Sequence, residues 1–293
     1  MYLMNKDLLT KFKQFKKLED LPKDIKISTI TMTCNFDTEF NVENIGKYFD
    51  LKNNVVNINY ESIDGKQYHR SLLNNIKKNK KKKTKRSFYN QVTIGIKTSN
   101  DKIVNIKIFI NGSIQMTGCD GLYSCIEGLE TLCNEIKKVK GIINPSISNK
   151  IIIKTFTTKP DNVVINKIND VKIRMINSNF DIGFQVNREK LYKILLDEKI
   201  NCVFEPIIHA CVNIKFNYKN KEKISIFVFE SGAIIITGAK TKNQIFDAYK
   251  FITKRLIENY YNIVVKSFDS VFEKFDINQF IINHKNNKIS NII

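Results

Sequence analysis

The chain has 293 residues and a formal net charge of +19, with 48 Lys and Arg against 29 Asp and Glu. Hydrophobic residues make up 42% of it, enough to fill a core, yet no run approaches the ~18 consecutive apolar residues that a membrane span requires. A soluble protein of one large or two modest domains is expected, with no membrane partner. In chain order, residues 1–23 read as a basic extension whose Lys residues interrupt anything like a secretory signal. In it Leu8, Leu9, Phe12, Phe15 and Leu18 form a stripe at helical spacing, expected to pack on the body. A strand over 25–33 then leads through Asn35-Phe36-Asp37 into a short helix over 42–49. The stretch 53–87 carries Lys77, Lys78, Lys80 to Lys83, Lys85 and Arg86 without an acid among them, a charge block that reads as a solvated loop. Three β runs follow, over 89–97, 102–110 and 113–117, separated by Ser99-Asn100-Asp101 and Asn111-Gly112. An amphipathic helix comes next, carrying Leu122, Cys125, Ile126, Leu129, Leu132, Cys133 and Ile136. A linker over 142–168 holds a strand of its own at 151–156.

The same order of elements then returns. A strand over 171–177, a helix over 188–196, β runs over 211–218, 223–229 and 233–237, and a helix with Ile245, Phe246, Ala248, Tyr249, Ile252, Leu256 and Ile257 precede a tail over 263–293. Local similarity supports a true internal repeat. Asn35-Phe36-Asp37 matches Asn179-Phe180-Asp181 at an offset of 144, and Phe109-Ile110-Asn111-Gly112 through Thr117-Gly118 matches Phe229-Glu230-Ser231-Gly232 through Thr237-Gly238 at an offset of 120. Repeat 1 is assigned to 24–141 and repeat 2 to 169–262, with the insertion about 53–87 accounting for 24 extra residues in the first copy. The fold class expected is α+β: an antiparallel sheet with helices on one face only.

Period two along the strands separates two rows. Ile106, Ile108, Ile110, Ile114 and Met116, with Ile226, Val228, Ile234 and Ile236, belong under the helices. The opposite row, Lys107, Phe109, Asn111, Ser113, Gln115 and Thr117 with Phe227, Phe229, Ser231, Ala233, Ile235 and Thr237, has no evident cover. A Phe at the same place in both copies of an open sheet suggests either a contact surface or a face closed by a tail or a partner domain.

The charge alone discriminates weakly. Only five cations are Arg, and Asn and Ile abound, as in an AT-rich coding sequence; without the eight-charge block the net is still +11. Such a field attracts polyanions without reading their sequence. Six Cys lie apart with no C-x-x-C pair and no His near enough to complete a zinc site, as in a reduced intracellular protein. His69, His209 and His284 stand alone, and no nucleophile elbow, P-loop or H-E-x-x-H is present, so no enzyme, metal, cofactor or small-molecule substrate is expected.

The segment Ser231-Gly232-Ala233-Ile234-Ile235-Ile236-Thr237-Gly238-Ala239-Lys240, preceded by Ile226-Phe227-Val228-Phe229, resembles the I-F-x-S-G-K-x-x-x-T-G-A-K signature of the TATA-box-binding protein family. Residues 109–120 resemble its first-repeat counterpart, and Phe204-Glu205-Pro206 is similar to the family's Y-E-P motif. The resemblance implies a saddle of two pseudo-symmetric repeats, helices on the convex face, whose concave sheet lies in the minor groove of AT-rich double-stranded DNA and kinks it with apolar wedges; this family is a standard example of that mechanism. By position the wedges fall on Phe88, Phe109, His209 and Phe229, His209 being the departure from Phe. The groove floor falls on Ile27, Gln115, Thr117, Asn177, Phe227, Ile235 and Thr237, and phosphate contacts on Arg86, Lys107 and Lys215. Two central Asn donors of the family align with Ile25 and Met175 and are lost, which should relax specificity more than affinity.

The resemblance further implies a transcription initiation factor that bends promoter DNA and recruits a factor-IIB-like partner, with a factor-IIA-like one also in view, at the Phe204, Glu205, Pro206 stirrup. It would act in the nucleus or another site of transcription, a virus factory if the AT-rich source is a large DNA virus. The alternatives are a divergent member that has lost TATA specificity and holds a regulatory protein, or an accessory domain of a nucleic-acid enzyme.

Overall fold

A computed structural model of the chain describes residues 6–73, 89–144, 150–219 and 222–265. The lysine block with Arg86 and Phe88, and the tail beyond residue 265, lie outside the described residues. The described residues form two compact units: the first runs to Asn179 and takes in Ile236–Asp247, and the second comprises Phe180–Ile235 and 248–265.

In the first unit, α1 (Lys6–Lys11) and α2 (Lys13–Lys16) bury Leu8, Phe12 and Phe15, and the turn after them buries Leu18, as the apolar stripe requires. Lys11 ties this segment down by donating to the Ile168 carbonyl at 2.9 Å. There follow β1 (Lys26–Asn35), α3 (Val42–Tyr48), β2 (Val55–Glu61), β3 (Gln67–Ser71), β4 (Gln91–Lys97), β5 (Ile103–Phe109), β6 (Ser113–Cys119) and α4 (Leu122–Ile136). Then come β7 (Lys140–Asn144), β8 (Lys150–Lys154) and β9 (Asn169–Asp181). The main sheet of this unit runs β9-β1-β6-β5-β4-β2-β3, and every pairing described in it is antiparallel. Alternate residues point to opposite faces, so Ile94, Ile106, Met116 and Met32, paired in one row across four strands, all sit at 0% exposure on the helix side. The buried face of α4, with Cys125, Leu129 and Leu132, closes over them. Gly128 permits the approach, because a Cβ there would come within 3.2 Å of Met116 Cε.

The second unit holds α5 (Arg188–Asp197), β10 (Cys202–Val203), β11 (Cys211–Tyr218) and β12 (Glu222–Phe229). The chain continues as β13 (Ala233–Ala239), α6 (Lys242–Glu258) and α7 (Tyr260–Ile263), with strand order β10-β11-β12-β13. Its core repeats the pattern: Val212, Ile214, Ile224, Ile226, Val228 and Ile234 are fully buried with Leu191, Leu195 and Ile252, and the Phe216 ring lies 4.8 Å from that of Phe251.

Three expectations change. The stretch 53–87 is not all loop: β2 and β3 form a hairpin that pairs along β4, where the second copy has only the two-residue β10 against β11. The linker strand lies at Lys150–Lys154 and has a partner, β7, that the sequence reading left out. The repeat offset at the strand-to-helix turn is also 146 rather than 144. Asn41 caps α3 by accepting from the Asn44 N–H at 2.9 Å, and Asn187 caps α5 by accepting from the Lys190 N–H at 3.0 Å. Phe36 N–H donates to the Gly112 carbonyl as Ile182 N–H does to that of Gly232. Both pairs are 146 apart.

The β1–β9 ladder obeys the same offset. Ile30 faces Ile176, its own counterpart, and around that centre Thr29 faces Asn177 while Thr31 faces Met175. Farther out, Ile27 faces Ser178 while Met32 faces Ile173, and Lys26 faces Asn179 while Thr33 faces Lys172. Each pair maps onto another when 146 is added to one number and subtracted from the other.

Candidate functional site

In each unit the sheet face away from the helices is built from repeated parts. In the first unit it is floored by rows that run straight across the strands. Thr93, Lys107, Gln115 and Thr33 form one row and Gly95, Asn105 and Thr117 the next, with Phe109 opposite Gln91 at the end of β5. All but Gly95 are half-buried, as expected of side chains crowded edge to edge on a sheet with no layer over them among the described residues. In the second unit Phe229 stands opposite Cys211 at the matching end of β12, followed by Phe227 opposite Asn213 and Ser225 opposite Lys215.

The sequence-predicted positions fall onto this face with few departures. Gln115, Thr117, Asn177, Phe227, Ile235, Thr237, Lys107, Lys215, Phe109 and Phe229 are all half-buried strand residues of the open row. Ile27 is the departure. A β-bulge between Ile27 and Thr29 reverses the facing, so Ile27 lies opposite the fully buried Ser178 and, with Phe15, Leu18, Ile25 and Leu122, lines a cavity of about 360 Å³ beside the N-terminal helices. Ile25, 7% exposed, is interior. The open face of β1 is instead Thr29, Thr31, Thr33 and Asn35, and the position matching Met175 is Thr29. These hydroxyls were missed because the strand was counted from the wrong offset.

Short polar contacts hold the floor in place. Thr237 Oγ1 donates to Asn177 Oδ1, so the amide oxygen of Asn177 is engaged within the sheet and its NH2 is the donating group. Thr29 Oγ1 accepts from the Gly118 N–H at 3.0 Å, Asn35 Nδ2 donates to Ser113 Oγ at 3.2 Å, and Arg174 Nε donates to Thr33 Oγ1 at 2.9 Å. Lys215 Nζ donates to Ser225 Oγ at 2.8 Å and so lies along the sheet. The surface thus offers donors, hydroxyls and two matched aromatic rings. Among the described residues no group of three His, Cys, Asp or Glu could hold a metal ion.

The 204–210 loop projects from the second unit. Phe204 anchors its base, 6.0 Å from the Tyr192 ring and 5.5 Å from the Arg188 guanidinium. Glu205 accepts through its carbonyl from the N–H groups of Ile208 and His209, at 2.9 and 2.7 Å. This turn leaves Glu205, Pro206 and His209 exposed and puts Ile207 at the tip, 100% exposed, beside Ile208 at 68%. Sequence reasoning singled out His209 and passed over the two exposed Ile beside it. Two adjacent Ile inside a turn were the available signal.

Residues 170–259 match the family model described as "Transcription factor TFIID (or TATA-binding protein, TBP)". A curated "TATA-box-binding protein-like" protein of Acanthamoeba polyphaga mimivirus is 39% identical over 262 residues, covering 83% of this chain and 67% of the relative. Among solved structures, Methanococcus jannaschii TBP superposes with a TM-score of 0.50 at 17% identity, covering 80% of this chain and 99% of that one, a likeness of fold.

Proposed function

Since the chain belongs to the TATA-box-binding-protein-like family, we propose that it binds double-stranded DNA with its open sheet face and serves transcription initiation. The observation that carries this reading is the repeated open row, with Phe109 and Phe229 at equivalent strand ends and hydroxyl and amide groups between. A minor-groove floor presents mainly acceptors, A N3 and T O2, and adds a donor at G·C pairs. The NH2 of Asn177 and the Thr29, Thr31 and Thr33 hydroxyls suit acceptors, which favours A·T. Phe109 and Phe229 would act as the apolar wedges, and a net charge of +19 supplies attraction to phosphates. Met175, where the family carries a central Asn, puts an apolar side chain on the floor, so sequence preference should be broader than the family's. The exposed 204–210 loop, with Glu205, Pro206, Ile207 and Ile208, supports the reading that a factor-IIB-like protein docks there.

Fluorescence-resonance measurement of end-to-end distance in a duplex labelled at both ends tests it. Wild type should shorten the distance in an AT-centred duplex, Phe109→Ala and Phe229→Ala should each reduce the bend, and the double variant should abolish it while keeping salt-sensitive binding. Undiminished bending in the double variant would exclude the wedges. Absence of any duplex binding by the wild type would leave the protein-binding alternative.

A further inference from the structure

The hairpin of β7 and β8 takes no part in the reading above. Its strands pair only with each other among the described residues, in register from Lys140 opposite Lys154 to Asn144 opposite Lys150. Opposed residues share a face, so Gly141, Ile143, Ile151 and Ile153 form one side and Lys140, Ile142, Lys150, Ile152 and Lys154 belong to the other. The first side has no polar side chain, and its three Ile are 64%, 65% and 65% exposed, with Val139 at 57% just before it. The base is fixed to the body: Lys140 Nζ lies 2.6 Å from Asp50 Oδ1, Lys154 Nζ 5.8 Å from the Tyr48 ring, and the Phe156 ring 5.1 Å from that of Phe49. Anchored at its root, with one bare apolar side and unpaired outer edges, it has the form of a strand-pairing template, which proteins ordinarily blunt. Between residues 137 and 154 the chain contains five Lys and no Asp or Glu.

We propose that the outer edge of β8 captures an extended segment of another protein in which apolar and acidic residues alternate. An added strand continues both sides of a hairpin at once. Its apolar residues would lie beside Ile151 and Ile153, and the carboxylates that alternate with them beside Lys150 and Lys154, four residues apart on the other side. A second copy of this chain suits the site poorly, because its hairpin is equally basic and four partly exposed side chains fall well short of the ~800 Å² per partner that a stable dimer buries. Nucleic acid would satisfy the lysines and leave the Ile side in water.

The test is fluorescence anisotropy of the full chain with a labelled peptide alternating Val and Asp, against a peptide of the same composition with its Val and Asp in separate blocks. The alternating peptide should bind saturably and the blocked one about tenfold more weakly, and Ile151→Thr/Ile153→Thr should weaken the alternating peptide about tenfold with an unchanged thermal melt. Lys150→Glu should weaken it further and restore binding to an alternating Val and Lys peptide. Equal affinity for alternating and blocked peptides would overturn the proposal. So would Ile variants that lose duplex DNA affinity and keep the peptide, or sedimentation showing that wild type dimerises and Ile151→Thr/Ile153→Thr does not.

Discussion

Replacing Asn177 by Leu separates two tasks carried by one side chain. Inside the protein its Oδ1 accepts from Thr237 Oγ1, a half-buried neutral hydrogen bond that contributes about 1 kcal/mol net. Thr237 keeps Met175 Sδ at 3.9 Å as a second acceptor, and Leu adds apolar area between strands, so the stability lost should be ~1 kcal/mol or less. For a chain of this size that is a fall in melting temperature of about 2–4 °C. Toward DNA the loss is larger, because the amide donor is gone and nothing replaces it. A well-placed contact to a base edge discriminates by ~1–3 kcal/mol, which is roughly 5- to 150-fold in affinity ratio. The assay is competition between an AT-centred duplex and one with G·C pairs at its centre, at two salt concentrations, alongside a thermal melt. The ratio should shrink by that factor while the salt slope stays fixed, since no phosphate contact is touched. An unchanged ratio would refute the assignment of Asn177 to base edges, and a melt lowered by more than about 10 °C would make it a structural residue.

Further predictions concern stability and reactivity. Gly232 has φ +93° and a Cβ there would lie 2.4 Å from the Phe184 carbonyl oxygen, whereas Gly183 has φ +86° with open space around it. Denaturant unfolding should therefore show about 3 kcal/mol lost in Gly232→Ala against about 1 in Gly183→Ala, and equal losses would remove the steric argument. Burial would raise the Asp120 carboxyl, but the hydrogen bond from Lys102 at 2.6 Å and one from Ser124 outweigh it and hold it below the ordinary carboxylate range. A depressed folded-state value means that its stabilising contribution is complete above the unfolded carboxylate value and is lost as pH falls through the folded one. Lys102→Met should raise the Asp120 value seen by NMR titration and shift acid unfolding to higher pH; no movement of either would deny the coupling. Burial pushes the Cys34 thiol up to about 12, with Cys133 adding to it, and pushes Cys133 itself up to about 12. Iodoacetamide at pH 8 should leave both unmodified in the native chain and label them after unfolding, as read by mass spectrometry.

Much of the fold was legible because its determinants are local. Alternation along β5, β6, β12 and β13 reports which side chains are covered, and Asn41 and Asn187 are good N-caps wherever they stand. The errors arose where similarity of letters diverged from equivalence of place. Phe36 sits in the turn, its ring 6.2 Å from that of Phe40, while Phe180 is still in β9, its ring 4.8 Å from Tyr249. Matching those two Phe gives 144, whereas the family alignment that paired Ile25 with Met175 and Ile27 with Asn177 runs at 150; the ladder has 146, and the second slip carried the β1 floor back to Ile25 and Ile27 and hid Thr29, Thr31 and Thr33. A bulge cannot be read from alternation, since it is itself a break in alternation. The β2–β3 hairpin was missed for another reason: Val55–Glu61 has strand character, but it lies next to a lysine block that suggested loop throughout. Exposure of Ile207 and Ile208 depends on a turn closed by the Glu205 carbonyl, which composition does not reveal.

The ladder between β1 and β9 has a genetic consequence. In an assembly of two identical chains, every substitution arrives twice, and any register that maps onto itself stays symmetric for good. Here the matching strands are read from different codons, so Thr31 and Asn177, or Gln115 and Ile235, can drift apart while the Ile30 and Ile176 pair keeps the register. Fusion into one polypeptide thus lets selection adjust either copy alone, a freedom denied to a homodimer.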